Sequence, residues 1–396
     1  MRRAVMRILI LYSLFLFLSG FGSATFAQTL HPLLSDIPDN TAKDLGPYAC
    51  SSPQGDNGVC SGITDFSGFT YDPYRQQMLM FGGGHATTYR DDVDVFHFDT
   101  LTWQPAYTPT PCSQMNPSNF DADKRAWIST GHPGARHTYD LLVATTNTKE
   151  FLLLSNGFGN GHCEQLGTYP GGGRVGHYNP DTKKWTFGPN SNPPDSWSKL
   201  GSAEFDPQSG LVVIVDQHTL WTYDPVNRAK TKRLEHNAQN LGYANNLVYF
   251  PPNGNMYYIA RGNPTLVFEI NLDRTNWSKS TVTRMNDITG MIPSTQESGF
   301  AYDPYNKIIG GGIQDGKFYA FDPIGKSWKV KTMNTKPTGS SIGTLRYHAI
   351  DFDPVNNVFI FMSGPYLNVH TWAYRYANTV PTGAPVAPVN LNLNIQ

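Results

Sequence analysis

One short unit recurs along this chain, and that recurrence limits the folds open to it. Residues 67–76 read SGFTYDPYRQ, and residues 298–307 read SGFAYDPYNK. In the first unit, residues 68–71 form an aromatic and β-branched run that stops at Asp72-Pro73, a turn signal. Residues 77–81 are a second apolar run, ending in Gly82-Gly83-Gly84-His85. Residues 94–98 alternate sides before a turn at Asp99-Thr100, and Trp103 starts a fourth run. Four short strands with tight turns make one antiparallel sheet. Such a sheet cannot bury its faces alone, so the units must pack against one another.

Turn pairs mark the later units: Asn179-Pro180, Asp206-Pro207, Asp224-Pro225, Pro251-Pro252, Asp322-Pro323 and Asp353-Pro354. Second strands start about 45 to 75 residues apart. This predicts an all-β chain forming a β-propeller of six four-stranded antiparallel blades, closed so that the sheet edges are hidden. Seven blades is the alternative, if residues 104–135 or the N-terminal stretch hold another. The sixth unit has no evident fourth strand, so residues 28–60 are expected to supply it. The 37 glycines and 29 prolines suit a turn-rich ring. A net charge of −1 gives no electrostatic ground for binding nucleic acid or an anionic membrane.

Residues 1–27 read as a signal peptide. Arg2, Arg3 and Arg7 form a basic start, residues 8–17 an apolar stretch, and small residues lead to cleavage after Ala27. A membrane anchor is the alternative, though the apolar run is short for a span. The mature protein is then exported, periplasmic or secreted, and expected to be monomeric. Residues 28–376 make a single propeller domain, and 377–396 a Pro- and Asn-rich tail. In an oxidising compartment the four cysteines, Cys50, Cys60, Cys112 and Cys163, allow three pairings. Cys50–Cys60 is local, which leaves Cys112–Cys163 to tie two long loops; a metal role for Cys163 beside His162 is the alternative.

Paired or triple glycine ending a second strand, an aromatic in the third and Trp a few residues on resemble the kelch repeat. More narrowly, Gly82–His85 as GGGH and residues 136–139 as RHTY resemble bacterial exported kelch-like proteins of the galactose-oxidase central-domain type. The resemblance covers about residues 50–376. It implies the fold far more than the function, because kelch propellers serve as oxidases, lyases, epimerases and binding modules. No arrangement argues for the copper site of galactose oxidase itself.

In a propeller, the loops leading into each first strand and those joining second to third strands open on one face. Six of the eleven histidines fall in such loops, with Arg and Tyr beside them. No pair of carboxylates stands out there, which argues against a glycosidase. No nucleophile elbow or HExxH motif occurs either. His, Tyr and Arg together suit β-elimination from a uronate-containing polysaccharide. The roles expected are His85 and His137 as base or stabiliser, Tyr139 as acid or base, and Arg136 or Arg174 as carboxylate clamp. His162, His218, Arg261, Arg346 and His348 are expected to contact substrate. No motif specifies a cofactor, and a divalent metal is possible, with His85, His137, His162, His218 and His348 as candidate ligands. A non-catalytic propeller that binds a glycan or protein ligand through Trp- and Tyr-rich loops is the competing class. Catalysis itself is left open.

Overall fold

The computed structural model describes residues 30–48, 67–82, 90–155, 173–191, 197, 200–237, 245–294, 299–337, 345–364 and 369–378. The proposed signal peptide, Cys50, Cys60, His85, His162, Cys163 and most of the tail lie outside these residues. Within them, six antiparallel blades form a ring. Their innermost strands are Phe69–Asp72, Leu142–Ala144, Ser202–Asp206, Asn246–Phe250, Phe300–Asp303 and Leu345–Asp353, defining blades 1 to 6. The chain thus has six blades and not seven. Residues 112–127 contribute two 3-10 turns and a two-stranded hairpin, in which Met115, Phe120 and Trp127 pack on one another.

The Asp-Pro pairs act as the sequence suggests. The Asp carboxylate accepts the backbone N–H two residues on, as in Tyr74 to Asp72 (3.0 Å), Tyr305 to Asp303 (2.8 Å) and Val355 to Asp353 (2.9 Å). This side-chain bond imitates a backbone turn, and the following proline fixes φ. Each such turn ends on a left-handed residue, such as Gln76 (φ 56°) or Lys307 (φ 53°), which returns the chain into the second strand.

The core is divided among the blade interfaces. Strand side chains alternate between neighbours: Val212 and Ile214 pack toward blade 2, Val213 and Val215 toward blade 4. An apolar cluster of this kind fills each interface around the ring. Strands buried on both faces read as nearly continuous apolar runs. The glycines of the fifth unit serve this packing. A Cβ on Gly310 would lie 2.5 Å from the Phe318 ring and 2.7 Å from the Phe359 ring.

Ring closure follows the expectation. The strand Thr41–Pro47 pairs antiparallel with the last strand, His370–Arg375, and becomes the outer strand of blade 6. Cys112 is the one cysteine among the described residues, and it is disulfide-bonded.

Candidate functional site: the central channel

The inner strand of each blade is an edge strand, so its outward-facing N–H and C=O groups line the channel rather than pairing in a sheet. Around them lies a cavity of about 710 Å³. Its wall is largely apolar and carries several aromatic rings, including Phe69, Tyr71, Phe205, Tyr249, Tyr302 and Phe352. At one end it reaches the turns after the inner strands, where Pro207, Pro251 and Pro304 are exposed to solvent.

The other end is held together by polar side chains from alternate blades. Asn246 of blade 4 donates its amide Nδ2 to Asp140 Oδ1 of blade 2 (2.7 Å) and to His348 Nδ1 of blade 6 (3.2 Å). The N–H of Leu247 donates to Asp140 Oδ2 (2.8 Å). Backbone bridges join the strand ends as well, Gly68 with His348 and Asp140 with Ser202. The strands approach closely at Gly68: a Cβ would sit 3.0 Å from His348 Cβ and 3.1 Å from Tyr139 O.

Two further carboxylates meet the inner strands midway along the channel. Asp351 accepts the N–H of Tyr71 (2.6 Å) from blade 1 and that of Phe352 (2.7 Å) from its own strand. Glu204 accepts the N–H of Phe205 (2.9 Å) and interacts with the backbone of Tyr249. Both couple one blade to the next. Burial pushes the Asp351 carboxyl up to about 6, against the lowering effect of its hydrogen bonds. Burial also raises Glu204 and Asp140 well above the ordinary carboxylate range, and the charge of Asp351 raises both further. Among the residues whose side chains are described, which do not include Arg346, no lysine or arginine lines this cavity.

Of the residues singled out from sequence, His137, Tyr139 and His348 lie near the polar end. His137 Nδ1 is 3.2 Å from the Tyr139 hydroxyl; both residues are buried, and Tyr139 (φ 48°) lines the cavity. Arg136 is buried with its guanidinium turned to backbone carbonyls: Gly134 (3.0 Å), Arg125 (2.8 Å) and Ser155 (3.4 Å). Arg174 pairs with Asp123 (2.6 Å). His218 is exposed, and its backbone N–H donates to Asp216 (3.0 Å). Arg261 is half-buried, with its N–H on Asn245 (2.9 Å). Arg346 falls within the inner strand of blade 6. No group of three or more potential metal ligands comes together among the described residues. Asp140, Glu204, Asn246 and Asp351 escaped the sequence reading, which searched the loops. Glu204 between Ala203 and Phe205, and Asp351 between Ile350 and Phe352, are charges inside apolar strands, and that was the available signal.

No family model and no curated protein matches the chain, so the kelch resemblance rests on the motifs quoted above. Several solved structures are similar. An auxiliary nutrient binding protein from Bacteroides thetaiotaomicron is 11% identical, with 87% of this chain and 74% of that one covered, at a TM-score of 0.47. A candidate gluconolactonase is 10% identical, covering 87% and 96% at a TM-score of 0.49. A protein of unknown function from Bacteroides thetaiotaomicron is 11% identical, covering 86% and 73% at 0.45. The functional reading therefore rests on the cavity itself.

Proposed function

We propose that this is an exported propeller that binds carbohydrate in its central channel, as a binding module. The observation that supports it most is the cavity of about 710 Å³, whose wall combines aromatic rings with carboxylate acceptors. Sugar rings present C–H faces that pack on aromatic rings, and hydroxyls that donate to carboxylates. Channels and clefts of this size, apolar with a few placed polar groups, are the usual form of small-ligand sites. Export through cleavage after Ala27, and the pairings Cys50–Cys60 and Cys112–Cys163, belong to the same reading. Among the described residues, no helix is long and apolar enough to cross a membrane.

Polysaccharide lyase is the second reading, and the His137–Tyr139 pair favours it as an acid–base couple. A uronate would be repelled by the channel carboxylates. Neither Arg136 nor Arg174 offers an unengaged guanidinium to clamp it. The test is calorimetry and glycan-array binding on mature protein from Gln28 onward, with Tyr302→Ala as the channel variant. Glycan binding that weakens about tenfold in Tyr302→Ala supports the channel reading. Ultraviolet-absorbing unsaturated uronate, lost in His137→Ala, would replace that reading with the lyase.

A further inference from the structure

We infer that the polar end of the channel receives a protonated amine, so that the bound carbohydrate is an amino sugar with its nitrogen unacetylated. This inference rests on the carbohydrate reading above for the sugar, and on its own observations for the amine.

The first observation is an orphaned acceptor. Asn246 is only 3% exposed and lines the cavity, and both of its amide hydrogens are engaged, one by Asp140 and one by His348. Among the described residues, its carbonyl Oδ1 has no hydrogen-bond partner. A buried acceptor left unpaired costs about 1–3 kcal/mol, so the site favours an occupant that donates. Because Nδ2 can only donate, His348 Nδ1 must accept, and it too offers no hydrogen toward Asn246.

The second observation is the sign of the wall. Asp140 at the polar end, and Glu204 and Asp351 midway along, line the same cavity, and their hydrogen-bond partners are N–H and hydroxyl groups. A sugar hydroxyl could satisfy one lone pair. An ammonium offers three donors and a charge, which relieves the repulsion among three carboxylates. The raised carboxyl values describe the cavity without such a charge; a bound cation would draw them back down and release protons. An acetamide lacks the charge and adds an acceptor to a site already rich in acceptors.

The test uses isothermal calorimetry on the mature protein at pH 7. The probes are the β-1,4-linked glucosamine dimer, its fully N-acetylated counterpart and spermidine. Each titration is run in two buffers of different ionisation enthalpy. The expected result is about thirtyfold tighter binding of the unacetylated dimer. Its binding should release protons, weaken with added salt, and weaken about tenfold in Glu204→Gln. Release would come from Asp140, Glu204 and Asp351; His348, His137 and Tyr139 are the other titratable groups near that end. Equal affinity for both dimers with no proton release overturns the amine and leaves the carbohydrate reading standing. Spermidine binding that falls in Glu204→Gln, with neither dimer bound, keeps the amine and overturns the sugar. Failure of all three probes overturns both. Should Glu204→Gln not fold, the two dimers and the proton count on wild-type protein still decide.

Discussion

Asp353→Asn should change how stability depends on pH. Asp353 is fully buried in the Asp-Pro turn of blade 6, where it accepts the N–H of Val355 (2.9 Å) and the amide of Asn356 (2.5 Å). Burial pushes its carboxyl from the ordinary 3.8 up to about 6, with these hydrogen bonds opposing. The folded protein thus holds this proton more tightly than the unfolded chain. The stability it contributes is fully present below pH 3.8 and is lost as pH rises through about 6. A shift of this size amounts to about 3 kcal/mol in all, of which about 1.4 kcal/mol falls between pH 5 and 7.5. Asparagine is tolerated in such a turn: Asn179 accepts the N–H groups of Asp181 and Thr182, both at 3.0 Å. Equilibrium urea unfolding of both proteins at pH 5, 6, 7 and 7.5 is the assay. The gap between them should move by about 1.4 kcal/mol against wild type as pH rises. A gap that stays flat, or moves the other way, would refute the argument from burial.

Three further outcomes follow from packing. Arg90→Met leaves Asp92 and Asp94 buried without the cation that bridges them and should cost about 3–5 kcal/mol in urea unfolding. Removing residues 30–47 strips the outer strand from blade 6, and the remaining chain should lose its cooperative thermal transition by circular dichroism. Gly310→Ala forces a methyl against the Phe318 and Phe359 rings and should lower stability by about 1–3 kcal/mol, read from the denaturation midpoint.

The ring was legible because its physics is local. Asp-Pro turns and alternating strands announce themselves within about ten residues, and strands buried on both faces leave apolar runs that any blade must hide. Even the closing strand could be expected, since the sixth unit lacked a partner. The channel was less legible because its polar residues are single positions on separate strands. Nothing local relates Asp140 to Asn246, which lies 106 positions away, or Asn246 to His348, which lies 102 away. Histidine-rich loops drew attention instead. Of those residues, Arg136 proved to organise backbone carbonyls, a role that its neighbours in sequence do not reveal.

The outer strand of blade 6 also bears on the order in which the molecule can be made. Asn40 meets Tyr374 across 334 positions of chain, and the N–H of Asn378 reaches Asp39 at 2.6 Å. A polypeptide synthesised from its amino end therefore carries Thr41–Pro47 unpaired until nearly everything else has been produced. Blades 1 to 5 can each assemble from adjacent segments as they emerge, whereas the last must wait for a partner made at the beginning. Long-range pairing of this kind is slow, and the waiting strand is an open edge that other chains could capture. The ring is thus most exposed to misassembly just before its last blade is completed.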